Sequence, residues 1–313
     1  MEIRQLRTFL AVAQGTGVTA AARELGYAQS SVTAQIQALE TGLGTALFER
    51  RGRRVALTDA GRALLPEAER VLRAAATASD RVRAAAEGDP AGPLAVAAPE
   101  TVCAYRMPPV LAALRTRFPR LDVTFRADDP VRLLRELATG ALDVAFLLEE
   151  EAPGGAFRVE AAIDEELRVV AAPGHRIAGL AEVTPSDLEG ETLLLLEPGC
   201  APRAVFEREL RAAGVRCARS IEFTSVEAVK RCAAAGLGVA AIPAFALPAE
   251  PGPGEPVARP WHRAALGLRT WIVRHAERPP SAVTEALITT ARSLWEPDGV
   301  GHAAKAANVG GYR

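Results

Sequence analysis

Uncharged polar side chains along one predicted helix are the part of this sequence that could do chemistry. Within residues 29–40, Val32, Ile36 and Leu39 are spaced to share one face of a helix. The opposite face carries amides and hydroxyls, at Gln29, Ser30, Ser31, Thr33, Gln35 and Gln37. Amides can pair bidentately with adenine in a DNA major groove, and hydroxyls can reach base edges or phosphates. The pattern fits a DNA-reading helix, although a helical hairpin with a solvated polar face would show it too.

Two predicted helices before this face would position it. Residues 18–25 repeat apolar side chains at helical spacing and end at Gly26, so residues 18–41 predict two helices joined by a tight turn. An amphipathic helix from Ile3 to Gln14 comes first and can cover the hairpin. The apolar positions are Leu6, Phe9, Leu10 and Ala13 in the first helix and Val18, Ala21, Ala22 and Leu25 in the second.

A basic hairpin is predicted directly after the polar helix. Residues 49–58, ERRGRRVALT, indicate two short strands around a turn at Gly52, with arginines on both sides. A hairpin in this place would be a wing, and its Arg50 and Arg53 could lie on phosphates or reach into a minor groove. The alternative is a solvated loop that happens to be basic.

Charge and length limit what the whole chain can be. The 313 residues carry a net charge of -1 and are 49% hydrophobic, which fits a globular protein of more than one domain. A protein that is basic throughout is therefore excluded. Residues 1–58 hold seven arginines and four glutamates, a local charge of +3. Nucleic-acid binding is thus expected only at this end of the chain.

Targeting signals, metal motifs and catalytic clusters are not expected. No signal peptide and no apolar run of about 18 residues is present, so we predict a cytoplasmic protein without a membrane span. The four cysteines, at positions 103, 200, 217 and 232, lack CxxC spacing and indicate reduced, mostly buried thiols. The histidines do not cluster with cysteines or carboxylates, so we expect no metal, no cofactor and no enzymatic activity.

The N-terminal region resembles the winged helix-turn-helix of the LysR-type transcriptional regulators. The similarity runs continuously through residues 1–65, and the elements predicted after residue 65 agree with the family in order and length, so it covers nearly the whole chain. The matching pieces are LRTFLAVA (6–13), VTAAAREL (18–25), QSSVTAQIQALE (29–40), LGTALFERRGRRVALTDAG (43–61) and Leu64-Leu65.

This resemblance implies roles for single residues. The helix at 29–40 would be the recognition helix, Thr19 would meet a phosphate, and the wing would supply two arginines. Two departures matter: Ala28 replaces a hydroxyl that often caps the recognition helix, and Ala34 replaces a common arginine. The expected DNA-binding residues are Thr19, Gln29, Ser30, Ser31, Thr33, Gln35, Arg50 and Arg53.

A long helix is predicted to link this unit to the rest of the chain. Residues 59–87 form one helical pattern, capped by Asp59, with Pro66 inside it and a narrow apolar stripe along it. The family uses this helix to pair two subunits, while packing on the chain's own effector domain is the alternative. The stripe contains Ala63, Leu64, Ala68, Val71, Leu72, Ala75, Ala78, Ser79, Val82 and Ala86.

Alternating strands and helices follow from Leu94 onward and predict a mostly parallel sheet with helices on both faces. The predicted strands are 94–98, 121–126, 142–148, 166–172, 193–197, 218–223, 238–242 and 266–274, and the helices are 103–118, 131–139, 202–213, 226–235 and 280–295. The fold class is therefore α/β behind an all-α winged helix-turn-helix. The resemblance implies a two-lobed effector domain like a periplasmic binding protein, joined by the linker helix.

The expected domains follow from these elements. They are a winged helix-turn-helix at 1–58, a linker helix and hinge at 59–89, an effector-binding domain at 90–296 and a disordered tail at 297–313. Within the effector-binding domain we place lobe one at 93–163 plus 266–296 and lobe two at 164–265.

A small molecule would bind beyond the carboxyl ends of the strands, where helices begin. A capping box with Glu227 is an alternative role for Thr224, and Glu100 would repel an acidic effector, which makes an amine conceivable. The expected effector-binding residues are Pro99, Glu100, Thr101, Cys200, Thr224 and Ser225, with Arg203 and Pro243 at the rim.

We therefore predict a sequence-specific DNA-binding transcription regulator controlled by a small-molecule effector. The resemblance implies a dimer paired through the linker helices, and by analogy a tetramer that bends a promoter, with RNA polymerase as a further partner. A solute-binding protein or an enzyme on the same two-lobed fold is the alternative. A regulator with a thiol redox switch at Cys200 and Cys217 is a minor one.

Overall fold

The computed structural model describes residues 1–15, 17–51, 54–87, 90–263 and 267–295. The N-terminal unit consists of α1 (Ile3–Gln14), α2 (Val18–Leu25), α3 (Gln29–Leu43), β1 (Phe48–Arg51) and β2 (Arg54–Leu57). Its core lies where the apolar sides of the three helices meet. The fully buried side chains there include Leu6, Phe9, Ala21, Val32, Leu39 and Leu47.

The turns of this unit form where the sequence predicts them. Gly26 ends α2 and Gly44 ends α3, each in the left-handed conformation that favours glycine, with φ of 66° and 70°. The hairpin predicted for residues 49–58 is present, because β1 and β2 pair antiparallel with Arg50 opposite Val55. Arg53 lies outside the described residues, and so does the tail at 297–313.

Helix α4 (Asp59–Glu87) runs without interruption through Pro66. Its cap is Thr58 rather than the predicted Asp59, because the Thr58 hydroxyl accepts a hydrogen bond from the backbone N–H of Gly61 at 3.0 Å. The first half of α4 packs against α1 and buries Ala68 completely. Further along the helix Val82 is 72% exposed, so the apolar stripe is covered only in part.

The elements beyond α4 include every predicted strand, but strands and helices do not alternate strictly. In chain order they are β3 (Gly92–Ala98), α5 (Glu100–Tyr105), α6 (Met107–Arg117), β4 (Leu121–Ala127), α7 (Pro130–Thr139), β5 (Val144–Glu149), β6 (Phe157–Asp164), β7 (Leu167–Ala171), β8 (Thr192–Leu196), α8 (Ala201–Ala212), β9 (Arg219–Phe223), α9 (Val226–Ala234), β10 (Ala240–Pro243), β11 (Val257–Pro260), β12 (Arg269–His275) and α10 (Ala282–Trp295). Short 3-10 helices lie at Arg176–Gly179, Pro185–Leu188 and Ala244–Ala246.

Two sheets form, and each is the centre of one lobe. In lobe one the strand order is β4-β3-β5-β12-β6, where β3 runs parallel to β4 and β5 while β12 is antiparallel to both neighbours. In lobe two β8 and β9 are parallel, and β10-β7-β11 is antiparallel. A parallel bridge between Leu193 and Val239 joins these two parts. Both sheets are therefore mixed, rather than mostly parallel as predicted.

Three further differences from the predicted elements have local causes. The helix predicted at 103–118 is two helices, broken at Arg106, because Pro108 and Pro109 fit only the first turn of a new helix. Strands β6 and β11 were not predicted. In β6 apolar residues do alternate with charged ones, so the alternation rule would have found it, whereas β11 has only four residues and shows no alternation.

The chain crosses between the lobes twice, once between β6 and β7 and once between β11 and β12. Glu165 lies at the first crossing and is almost fully buried. Both of its carboxylate oxygens accept hydrogen bonds of 2.7 Å from Nη2 of Arg106, and the Thr270 hydroxyl donates one of 2.6 Å. The Arg106 guanidinium also lies over the rings of Phe245 and Trp295. This network, which we call the crossing network, ties α5, β12 and α10 to the point where lobe two begins.

Among the described residues, no helix is both long enough and apolar enough to cross a membrane.

Candidate DNA interface and effector cleft

The polar face of α3 is exposed as the sequence predicts. Val32, Ile36 and Leu39 are buried against the other helices, which turns the opposite side of α3 outward. Gln29, Ser30, Ser31 and Thr33 are all exposed there, and Thr19 is exposed near the start of α2. The hydroxyl of Thr33 donates a hydrogen bond to the backbone oxygen of Gln29. The face can therefore offer one amide and two serine hydroxyls, at positions 29 to 31, to a base edge or a phosphate.

The beginning of α3 has no side-chain cap from the described residues. Ala28 is the N-cap residue, and its methyl group cannot accept a hydrogen bond from the N–H groups of the first turn. Those groups and the positive end of the helix dipole are what binds a phosphate at a helix N-terminus. The substitution of alanine for a capping residue thus leaves this end of the recognition helix suited to the DNA backbone.

Gln35 has a structural partner that the sequence did not indicate. Its Oε1 accepts a hydrogen bond of 2.8 Å from the hydroxyl of Thr8, which is fully buried in α1. Gln35 is only half-exposed for the same reason. Its side chain therefore holds α3 against α1, and only its amide nitrogen remains to face DNA.

The wing is tied to α3 by a carboxylate. Oε1 of Glu40 accepts hydrogen bonds from the backbone N–H groups of Leu47 and Phe48, at 2.7 and 3.3 Å. These bonds fix the start of β1 relative to the recognition helix. The predicted wing contacts themselves are not visible, because Arg53 and the side chain of Arg50 lie outside the described residues.

A cleft of about 410 Å³ opens between the two lobes. It lies beyond the carboxyl ends of β3, β5 and β8 and beside the first residues of α5, α7 and α8. Both its place and its volume are typical of small-molecule sites in α/β folds. The lining consists of Pro99, Glu100, Thr101, Asp128, Asp129, Pro130, Val131, Leu148, Glu149, Leu196, Glu197, Pro198, Gly199, Cys200, Ala201, Pro202 and Thr224.

Most of the predicted effector-binding residues meet in this cleft. Those that line it are Pro99, Glu100, Thr101, Cys200 and Thr224. The capping box considered for Thr224 does not form, since α9 begins after Ser225 and has no side-chain cap from the described residues. The Ser225 hydroxyl instead donates to Oε1 of Glu100 at 3.5 Å, across the lobes.

Arg203 and Pro243 do not reach the rim, which corrects the prediction. The guanidinium of Arg203 bonds the backbone oxygen of Leu196 at 2.6 Å and pairs with Glu207 and Glu222. Pro243 is buried at the end of β10, where it pairs with Leu167. Neither residue is part of the cleft lining that the structure describes.

Four acidic lining residues escaped the sequence analysis, namely Asp128, Asp129, Glu149 and Glu197. Each follows or ends a strand of its lobe, after β4, β5 or β8. The rule that places ligands at the carboxyl ends of strands would have found them if it had been applied to these strands too.

Burial and mutual repulsion perturb two of the cleft carboxylates. Burial raises the pKa of Glu100, and the nearby carboxylates of Glu197 and Glu227 add to the rise, against hydrogen bonds from Ser225 and the Val226 N–H that lower it. Burial likewise raises the pKa of Glu149, with a further contribution from Glu150. Their ionised forms are therefore less stable in the folded protein than in water.

The described cysteines are free thiols, half-buried rather than mostly buried as predicted. Burial raises the pKa of the Cys200 thiol to about 11, helped by the charges of Glu149 and Glu197. Burial also raises the pKa of Cys103 to about 12. A thiol that reacts with peroxide needs the thiolate form, which these surroundings suppress.

Other candidate sites are less persuasive. Two further cavities, of about 470 and 700 Å³, are lined by α4 and lobe one, without a described residue of lobe two. No group of His, Cys, Asp or Glu among the described residues could hold a metal ion. His175 caps a 3-10 helix and contacts Glu191, which gives it a structural role.

A winged helix-turn-helix joined to a two-lobed domain with a cleft defines a DNA-binding protein with a sensory domain. Two family models agree with this class. "Bacterial regulatory helix-turn-helix protein, lysR family" matches residues 3–62, and "LysR substrate binding domain" matches residues 87–296. The chain therefore belongs to the LysR family of transcriptional regulators. It is a DNA-binding transcriptional regulator with an effector-binding domain, and the family consists of regulators, not enzymes.

Similar proteins cover most of the chain. The uncharacterized HTH-type transcriptional regulator YwqM of Bacillus subtilis (strain 168) is 35% identical, over 95% of this chain and all of its own. The probable hydrogen peroxide-inducible genes activator of Mycobacterium avium is 38% identical over 79% of each chain.

Solved structures agree. Full-length CbnR complexed with the target DNA has a TM-score of 0.68 at 28% identity, covering 93% of this chain and 99% of its own. A full-length OxyR variant from Pseudomonas aeruginosa, with one cysteine replaced by aspartate, has a TM-score of 0.71 at 25% identity, covering 95% and 97%.

Proposed function

We propose that α3 reads the DNA sequence while the wing and the helix N-termini hold the backbone. The exposed amide and hydroxyls at positions 29 to 31 support the first role, and the uncapped start of α3 supports the second. Thr33 and the amide nitrogen of Gln35 complete the reading face. Thr19, Arg50 and Arg53 bind phosphates, because hydroxyl and guanidinium groups can contact the DNA backbone without reading its sequence.

The effector binds in the cleft and sets the arrangement of the lobes. The observation that carries this proposal is that the cleft is lined from both lobes, so a ligand there contacts both at once. Direct contacts already join them. Arg208 forms a bidentate pair with Glu150 at 2.6 and 2.8 Å, and the Tyr105 hydroxyl donates to Glu227 at 2.9 Å. A ligand that binds one lobe arrangement better shifts the equilibrium toward it.

Two chains pair through α4 and present two recognition helices to successive major grooves. The part of the stripe at Ser79 and Val82 is exposed in the single chain, which leaves a surface for a partner helix. Two such dimers form a tetramer that bends the promoter, and RNA polymerase is the further partner. The protein acts in the cytoplasm, where its DNA is.

A thiol redox switch is not favoured, although one similar protein is named for hydrogen peroxide. The raised pKa of Cys200 keeps it protonated at neutral pH. A Cys200→Ser variant should therefore regulate like the wild type with and without peroxide. If peroxide changed regulation by the wild type and the Cys200→Ser variant lost that change, the redox switch would be supported instead.

A gel-shift assay with the intergenic DNA beside the gene tests the division of roles. Gln29→Ala should lose about 1–3 kcal/mol of discrimination between the operator and a scrambled sequence, because an amide reads base edges. Arg53→Ala should weaken binding to both sequences alike and reduce the salt slope by about one charge. Gln14→Ala, which removes an exposed amide from the end of α1 instead of from α3, is the control.

If Gln29→Ala and Arg53→Ala behaved alike, the assignment of reading to α3 and of backbone binding to the wing would be wrong.

The same assay repeated with a panel of metabolites tests the effector. A mobility change that Thr224→Trp abolishes would support the cleft as its site, since an indole at this lining residue would fill the cleft. A mobility change insensitive to that variant would contradict it.

A further inference from the structure

We propose that the effector of this protein is a cation, an amine or guanidinium group on an apolar body, bound between Glu149 and Glu197. This inference rests on the proposed function of the cleft as the effector site. It names the class of ligand that the site takes.

The charges that line the described cleft are all negative. Its acidic residues are Glu100, Asp128, Asp129, Glu149 and Glu197. The described residues of the lining include no arginine, lysine or histidine. An anionic effector would meet five carboxylates and no compensating cation in this lining, whereas a cationic one would gain from each of them.

Three of these carboxylates already have partners. Asp128 pairs with Arg126 and Arg132, and Asp129 caps α7 by accepting the N–H of Arg132 at 3.0 Å. Glu100 accepts from the Ser225 hydroxyl and from the Val226 N–H at the start of α9. By contrast, the carboxylates of Glu149 and Glu197 have no hydrogen-bond or ion-pair partner in the described part of the chain. Both residues line the same cleft as Cys200, and the charge of each raises the pKa of its thiol.

Several groups that would attract an anion are already used. The start of α9 faces the carboxylate of Glu100, so the protein's own side chain fills the place of a bound anion there. At the start of α8, Pro202 has no N–H to offer. The guanidinium of Arg203 is committed to Leu196, Glu207 and Glu222.

The rest of the lining is apolar and indicates the remainder of the ligand. Leu148 and Leu196 lie at the ends of β5 and β8, and Pro99, Pro198 and Pro202 surround them. A cationic group between the two free carboxylates would leave an alkyl or aryl portion against these side chains. The cleft volume of about 410 Å³ suits such a small molecule.

Matched compounds that differ only in charge test the proposal. The probes are benzylamine, benzoate and benzyl alcohol, and a second series of 1,4-diaminobutane, succinate and 1,4-butanediol. Binding to the full-length protein is measured by ligand-observed NMR at up to about 10 mM. We expect the amine of at least one series to bind about tenfold more tightly than its carboxylate counterpart, and to weaken with added salt.

Variants locate the binding. Glu149→Gln and Glu197→Gln should each weaken the amine about tenfold. Glu151→Gln removes the same charge from an exposed position outside the lining and should leave binding unchanged. Circular dichroism verifies that each variant is folded, and an amine that binds all of them equally would overturn the proposal.

Further outcomes would overturn the proposal of a cationic effector, and they distinguish a wrong ligand class from a wrong effector site. Tighter binding of the carboxylates, or no amine binding at about 10 mM, would reject a cationic effector. If a carboxylate or alcohol binds and Thr224→Trp abolishes that binding, the cleft remains the effector site and only the ligand class is wrong. If compounds bind and Thr224→Trp has no effect, the cleft itself fails as the effector site.

Discussion

Glu149 ends β5, and its half-buried carboxylate lines the cleft without an ion-pair partner in the part of the chain that the structure describes. Burial and the charge of Glu150 raise the pKa of Glu149, so the ionised form opposes folding. Binding sites commonly carry such a cost, because the group that destabilises the empty site is the one that attracts the ligand. The same reasoning applies to Glu100, whose pKa is raised by burial and by the nearby Glu197 and Glu227.

This cost predicts how stability depends on pH. Because the pKa of Glu149 is higher in the folded state, its unfavourable contribution is present above that pKa and disappears as the pH falls below the unfolded value. Glu149→Gln should therefore raise Tm at about pH 8 and change it little at about pH 4. Differential scanning fluorimetry across this range measures it, with Glu151→Gln as the control. An equal gain at both pH values would contradict the argument.

At the same scale, the sequence predicts some site residues and not others. Pro99, Glu100 and Thr101 follow a strand and open a helix, and this local pattern suffices to place them in the cleft. Arg203 was misplaced, because its partner Glu222 lies on β9 and is not visible from local sequence. Glu197 directly follows β8, so it was missed only because the rule for carboxyl ends of strands was not applied to that strand.

Among the elements, the recognition helix and the wing form one rigid piece through Glu40. Glu40→Ala removes the acceptor for the backbone N–H groups of Leu47 and Phe48, so the wing should loosen. We expect weaker binding to operator and scrambled DNA alike, and a stability loss of about 1–2 kcal/mol.

Glu40→Gln keeps the acceptor oxygen and is the matched control for this change. Gel shifts and hydrogen exchange of residues 47 and 48 are the measurements. A change in sequence preference, rather than in overall affinity, would show that Glu40 acts on α3 instead of the wing.

The break between α5 and α6 has a consequence for the crossing between lobes, because it puts Arg106 beside Glu165. Arg106→Met leaves a carboxylate that is only 3% exposed without its cation, and should cost about 3–5 kcal/mol in the free energy of unfolding. The double variant Arg106→Met with Glu165→Gln should recover most of that loss. Urea denaturation measures both, and a single-variant cost below about 1 kcal/mol would contradict the predicted role.

Elements with strong periodicity were predictable, and those whose form depends on distant partners were not. α2, α3 and the strand at 94–98 follow from local spacing, and the structure confirms them. By contrast, the pairing of β6 with β12, which leaves out Glu160 where the register shifts, has no local signal. The antiparallel placement of β12 between β5 and β6 likewise has no local signal, so the sheet was predicted as mostly parallel.

For the whole molecule, the exposed end of the α4 stripe predicts the assembly. A charge at Val82, which is 72% exposed in the single chain, should prevent two apolar stripes from packing. Val82→Glu should therefore sediment as a monomer and bind a dyad-symmetric operator far more weakly than the wild type. Leu237→Glu places the same charge on an exposed residue of lobe two and should change neither property. A dimeric Val82→Glu protein would reject pairing through this stripe.

The packing of α4 also bears on how regulators of this kind can be recombined. Leu64, Ala68, Val71 and Leu72 complete the hydrophobic core around α1, so the first half of the helix belongs with the DNA-reading unit. A chimera joined at Thr58 would divide that core between two parents with unmatched side chains. A crossover after Leu72 would transfer the core intact, and a foreign sensory half could then be grafted onto this DNA specificity.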